Sequence, residues 1–422
     1  MTHPTSPLHI PDFRRFWLSR FASVLATTGM VVVIGYQLYD VARSHYGMSI
    51  KEAAFQLGLL GLAQFVPLLL LTPVAGVMAD RFDRRRIAGF AIALDLLVAA
   101  AFGLVTYHGL HSLPLLFTLA ACHGTARVFV GPALSAIAPN IVPTELIPRA
   151  IALNSMSWQV GAVAGPAIAG FLFAADPALP YWYATMLLGL SSVLVLTLAH
   201  LPQSSANRDV HPVKQILDGF RFVRGDHFLL GCITLDLFAV LLGGATALLP
   251  VFARDLLHVG PEGLGQMRAA PAAGAAVVAL ILSFRPLSTN VGAKMLWAVA
   301  GYGVATLAFG LSRNFLLSLT FLAFLGAADM VSVFVRSSLV QLHTPDEMRG
   351  RVSAISGLAI SASNELGEMQ SGLAAALMGA TGAVVFGGLG AIGITLAWAK
   401  LFPELARTRT FTPHSQAREP RP

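Results

Sequence analysis

The chain has 422 residues, 55% of them hydrophobic and 12% charged, against about 25% charged in an ordinary soluble domain. That balance excludes a soluble enzyme as the starting expectation and supplies enough apolar residues for about twelve bilayer-crossing helices of ~20 residues each. The net charge of +7 lies in short loops between apolar runs, where it marks membrane topology and not nucleic-acid binding.

Apolar runs of membrane-spanning length predict helices near 16–40, 55–79, 87–107, 114–140, 150–174, 181–201, 228–252, 266–284, 292–312, 315–341, 352–378 and 381–401. They are apolar all round, without the alternation of a membrane β-barrel, so the expected fold is an all-α membrane protein of twelve spans. Roughly 20 Lys and Arg fall in the loops on the side of the N-terminus and about 5 on the other, which predicts that both termini are cytoplasmic. Trp17 and Trp398 on one side and Tyr107, Tyr181 and Trp182 on the other fit aromatic belts at the two interfaces.

The longest connection, 202–227, divides the spans into bundles over 1–201 and 228–402, followed by a tail over 403–422. Within it Val213, Ile216, Leu217, Phe220 and Val223 recur at helical spacing opposite Lys214, Asp218, Arg221 and Arg224. This predicts an amphipathic helix on the inner membrane surface, serving as a spacer between the bundles. One constant offset brings Pro143, Glu145, Arg149, Ala152, Gly165 and Gly170 onto Pro345, Glu347, Arg351, Ala354, Gly367 and Gly372. An internal repeat of six-helix units explains that register, and such repeats place a substrate cavity at their interface.

Between the second and third spans stand Gly76, Asp80, Arg81, Asp83, Arg84, Arg85 and Arg86. The basic residues alone would serve as a topology signal, which leaves Gly76 and Asp80 unexplained. The pattern resembles the signature loop of the major facilitator superfamily, with Asp83 where a second glycine is usual. The resemblance implies a gate in which Asp80 docks near the start of the eleventh helix while Arg81, Arg84 and Arg85 help to latch the halves. In the fifth span Gly161, Gly165, Pro166 and Gly170 suit close helix packing and a kink. They also resemble the antiporter motif of the superfamily's exporters, although Asn154 and Ala169 stand where glycines are common. Segments from Gly131 to Pro139, Leu235 to Pro250, Thr344 to Arg351 and Ser363 to Glu368 resemble the branch that includes enterobactin exporters and drug-efflux proteins.

Charges within spans are costly in hydrocarbon and mark cavities or partners. Arg127, Asp236, Asp329 and Asn364 are candidates for the cavity, with ion pairing inside the bundle as the alternative. Glu365 and Glu368 are three apart on one helix face, so holding both charges is costly and one can take up a proton. With Asp236 and Asp329 they form the proton-coupling candidates. His123 and Cys122 have no second ligand pair at useful spacing, so no metal site is expected. Gly388, Gly390 and Gly393 match a dinucleotide fingerprint but lie inside a span, where they read as packing residues. The expectation is a secondary exporter with no cofactor, driven by the proton gradient, that moves a small amphipathic molecule such as a siderophore or drug. Nucleic acid is not an expected partner, and a monomer suffices for that activity. A facilitator or importer of the same fold is the alternative, and an intramembrane enzyme lacks a recognisable catalytic constellation.

Overall fold

The computed structural model describes residues 6–199, 212–285, 287–345 and 347–411. The linker residues 202–211 and the tail beyond 411 lie outside that set, as does the side chain of Asp80. Thirteen helices organise the description: α1 Pro11–Ser44, α2 Ile50–Arg81, α3 Arg84–Tyr107, α4 Leu113–Ile141, α5 Ile147–Ala175 and α6 Leu179–Leu196, then the amphipathic α7 Pro212–Gly225. After it come α8 His227–Leu242, α9 Gly260–Phe284, α10 Val291–Leu311, α11 Phe315–His343, α12 Arg349–Leu401 and the short α13 Pro403–Arg407. No strand occurs among the described residues.

At 1.5 Å per residue, α12 with its 53 residues would run to about 80 Å, far beyond a ~30 Å hydrocarbon core. It is two helices joined at Gly379, whose φ of 81° and ψ of 163° belong to a region open essentially to glycine alone. The eleventh and twelfth spans are therefore its two legs, and the break falls between the predicted 352–378 and 381–401. Helix starts are encoded locally. Ser49 and Glu52 form a reciprocal capping box at α2, while Asp226 and Asn314 cap α8 and α11 by accepting from Leu229 and Leu317 amides.

Two compact units result, one of residues 1–212 with 250–269 and one of residues 213–249 with 270–422. In the first, α1 packs on α5 and α6, α3 on α4 and α6, and α2 on α4. The second reproduces this with α8 on the first leg of α12, α10 on α11 and on the second leg, and α9 on α11. Small residues set these contacts. A Cβ on Gly274 would lie 1.8 Å from the Ala323 carbonyl oxygen, and one on Gly303 would lie 2.9 Å from that of Gly388. Gly388 of the dinucleotide-like run thus serves helix packing.

The amphipathic segment, expected as a spacer, is docked on the second unit as α7. Val223 is buried in the core of the second unit, and a Cβ on Gly219 would lie 2.9 Å from the Arg351 carbonyl oxygen. The beginning of the tail is docked as well: Leu405 is fully buried, and the Gly292 amide donates to the Thr408 carbonyl at 3.1 Å.

Candidate functional site

The signature loop is built by Asp83. Its carboxylate caps α3 by accepting from the Arg85 amide at 3.0 Å and pairs with the Arg85 guanidinium at 2.6 Å. Capping supplies the turn that a second glycine would otherwise ease. Arg85 also donates to the Leu198 carbonyl beyond α6, so it is held inside the first unit. Arg81 is exposed and Arg84 half-buried, while a Cβ on Gly76 would meet nothing within 4 Å.

The glycines of α5 form a contact strip. A Cβ on Gly161 would lie 2.5 Å from Val24, and one on Gly165 would lie 2.1 Å from the Thr28 hydroxyl. Thr28 donates to the Gly161 carbonyl at 3.1 Å, which ties α1 to α5 across the gap the glycines leave. Farther along, Gly170 faces Gly265 at the start of α9, and a Cβ on Gly265 would lie 2.6 Å from the Pro166 carbonyl. Gly161, Gly165, Pro166 and Gly170 therefore serve one continuous packing surface.

The polar groups of the first unit differ in depth, His123 with Asp95 being buried and Arg127 exposed. His123 Nδ1 and Asp95 Oδ1 are 2.6 Å apart with both side chains buried, so His123 is held within the bundle. Arg127, one helical turn farther along α4, donates to Gln64 of α2 at 3.3 Å. At the end of α1, Asp40 pairs with Arg254 at 3.0 Å, while Asp255 accepts from Tyr39 at 2.5 Å and from Arg43 at 3.2 Å. Arg254 also donates to the Ser44 hydroxyl at 2.8 Å. Arg254 and Asp255 belong to a π turn, Phe252–Leu256. Next to this cluster the His45 and His111 rings stack at 3.5 Å. Partial burial first and His45 second hold the His111 imidazole below its usual range, with Asp40 opposing.

In the second unit Asp236 of α8 pairs with Arg336 of α11 at 2.8 Å, and both are nearly fully buried. Asp329 and Tyr302 lie close enough to feel the charge of that cluster. Helix α8 stops at Leu242, and Gly243 and Gly244 lead into a short 3-10 turn, Ala245–Leu248, ahead of Pro250. Tyr302 donates to the freed Gly243 carbonyl at 2.9 Å, which satisfies a backbone group that the membrane interior would leave costly. A Cβ on Gly244 would lie 2.7 Å from the Gly367 carbonyl oxygen. Glu365 and Glu368, both half-buried, flank Gly367, and Asn364 beside them is exposed. The second-unit candidates thus gather around a broken span, with Asp236 already engaged by Arg336.

The profile of the family described as transmembrane secretion effector matches residues 2–419. The chain belongs to that family. It lies within the major facilitator superfamily, in the branch the sequence motifs resemble, and its members are transporters and not enzymes. Among curated relatives, the enterobactin exporter of Citrobacter koseri is 28% identical, covering 94% of this chain and 94% of the relative. The enterobactin exporter of Escherichia coli O1:K1 is also 28% identical, covering 92% of this chain and 88% of the relative. Solved structures share the fold. A D-xylose–proton symporter gives a TM-score of 0.72 at 15% identity, covering 93% of this chain and 98% of that one. A bacterial homologue of the iron transporter ferroportin gives 0.68 at 16% identity, covering 94% and 99%. Members of this family are multi-pass membrane proteins, and this chain is a secondary transporter of a small molecule.

Sequence reasoning missed the break at Gly243–Gly244 and the cluster of Tyr39, Asp40, Arg43, Arg254 and Asp255. A glycine pair six residues before Pro250 inside an apolar run signals a discontinuous span. The charges carry no such signal, because each half of the cluster reads as the ordinary polar end of a span.

Proposed function

We propose that this transporter exports a small amphipathic molecule of the siderophore class across the inner membrane, by alternating access and in exchange for entering protons. It works as a single chain with both termini in the cytoplasm. The observation that carries this reading is the likeness to enterobactin exporters along almost the whole length of both chains.

The broken seventh span supports a mechanism. Gly244 packs on Gly367, and Gly367 is flanked by Glu365 and Glu368. A carboxylate that gains or loses a proton there changes charge at the joint between α8 and the first leg of α12. That change biases the two packings of the joint, as a coupling ion must if it is to shift a conformational equilibrium. Asp236 has a different part: paired with Arg336, it holds α8 to α11. Asp329 faces the same electrostatic environment and Arg127 supplies a cation in the first unit, so these two with Asn364 are the groups proposed to meet substrate. At the outer end, the ion pairs of Asp40 with Arg254 and of Arg43 with Asp255 form a latch that opens for release. The loop of Gly76, Asp80, Arg81, Arg84 and Arg85 gates the inner end.

Inside-out proteoliposomes with an imposed pH gradient test the reading, with enterobactin as the first substrate tried. Accumulation together with substrate-dependent proton release is expected. Glu365→Gln or Glu368→Gln should abolish accumulation against a gradient while downhill exchange persists. Accumulation without proton movement, or equal accumulation in both variants, would overturn the coupling assignment. Absence of transport across a panel of siderophores that includes enterobactin would overturn the substrate class.

A further inference from the structure

Helix α7 carries one apolar face more than a spacer needs. Residues three and four apart share a helix face. Gly219 and Val223 turn into the second unit, where Gly219 abuts the Arg351 backbone and Val223 is only 3% exposed. Asp218 approaches the Arg351 guanidinium at 3.8 Å. On the opposite side Leu217, Phe220, Arg221 and Arg224 are all exposed, Leu217 by 47% and Phe220 by 53%. That face mixes large apolar side chains with cations; Asp218 stands at its edge, 3.9 Å from the Arg221 guanidinium and 3.8 Å from that of Arg351, so Arg224 and the 77%-exposed Arg221 leave it net positive.

The depth of α7 follows from what it touches. Arg351 is in the first turn of α12, and α8 begins at His227, two residues after α7 ends. The helix therefore runs at the level where two spans begin. There an exposed leucine and phenylalanine meet the boundary between headgroups and acyl chains, and arginines beside them meet phosphates.

We propose that this exposed face of α7 docks on an anionic phospholipid surface. Leu217 and Phe220 insert, while Arg221 and Arg224 select for negative headgroups. Because the other face grips the start of α12, the surface charge of the bilayer bears directly on the end of the eleventh span. Each arginine near an anionic surface shifts the balance roughly fivefold, so the pair gives up to roughly thirtyfold at low salt.

The test uses the full chain with Cys122 and Cys232 replaced and a spin label at Leu217→Cys. The protein is reconstituted in phosphatidylcholine alone or mixed with phosphatidylglycerol. Oxygen should reach the label better than a water-soluble nickel chelate does, and the ratio of docked to undocked label should rise up to roughly thirtyfold with phosphatidylglycerol. R221Q/R224Q should lose that rise while keeping the α7 contact with Arg351, read from a second label at Val352→Cys. A label equally open to the chelate in both lipids would overturn the proposal. So would a docked fraction that ignores phosphatidylglycerol, which would leave a generic bilayer contact. Spin–spin broadening that vanishes on dilution with unlabelled chain would instead assign the face to a second copy.

Discussion

Asp236 and Arg336 are removed from water almost completely, and each is the other's partner across α8 and α11. A buried ion pair of this kind roughly breaks even against apolar residues of similar size, but losing one partner leaves a bare charge at a cost of about 3–5 kcal/mol. The Nε of Arg336 already lacks a hydrogen-bond partner, so removing Asp236 adds to an unmet demand. Asp236→Asn should therefore lower the unfolding temperature of the detergent-solubilised protein sharply. The double variant D236L/R336M should recover most of the loss. A double variant no more stable than D236N would mean that the pair does more than cancel its own desolvation, and transport by the double variant would separate a structural role from a coupling role. Sequence reading placed Asp236 among proton and cavity candidates because an isolated intramembrane carboxylate demands a function. It could not supply Arg336 as the partner, since the two residues are a hundred positions apart and only helix packing joins them.

At the scale of the element, two glycine-bearing motifs that look alike in sequence have different physical roles. Gly165 is needed for space, because a Cβ there would lie 2.1 Å from Thr28 and 2.7 Å from the Leu25 carbonyl. Gly76 meets nothing within 4 Å. Overpacking a close helix contact costs about 1–3 kcal/mol, whereas glycine to alanine in an open helical position gains up to about 1 kcal/mol. Gly165→Ala should therefore destabilise the protein and reduce transport, and Gly165→Leu should prevent the α1–α5 contact from closing. Gly76→Ala should fold as well as the parent, as judged by thermal unfolding and by yield after size exclusion. If Gly76→Ala folds normally yet transports poorly, the glycine serves a conformation of the loop other than the one described. Periodicity and small-residue spacing made the spans and their tight contacts legible, because a lipid-facing helix leaves a long apolar run and a close contact leaves glycines four apart. They could not make α7 legible as a docked element. Val223, Leu217 and Phe220 form one apolar stripe on paper, and only the contact at Gly219 shows that the stripe divides between the protein and an exposed face.

At the scale of the whole molecule, hydropathy accounts for the twelve spans, and the repeated offset accounts for the matching packing of the two units. The latch around Asp255 follows from neither. Asp40 and Arg43 end one span, and Arg254 and Asp255 end another more than two hundred residues later; ends of spans are where charges cost least, so their presence there carries no information about pairing. Tertiary contact alone turns them into two ion pairs and a tyrosine hydrogen bond. Such partly exposed pairs contribute about 0.2–1 kcal/mol each. That is small for stability but large for a transporter, whose conformations must lie within a few kcal/mol of each other to interconvert. Breaking both with D40N/D255N should raise the population with the α1 end released by between about twofold and thirtyfold. Double electron–electron resonance between labels at Ile50→Cys and Glu262→Cys, both exposed positions, reads that population as a longer-distance peak. High salt should produce part of the same shift in the parent chain and little in the double variant, since the screened charges are then already absent. A distance distribution unchanged by either the substitutions or salt would remove the latch from the transport cycle and leave it a static tie at the end of α1.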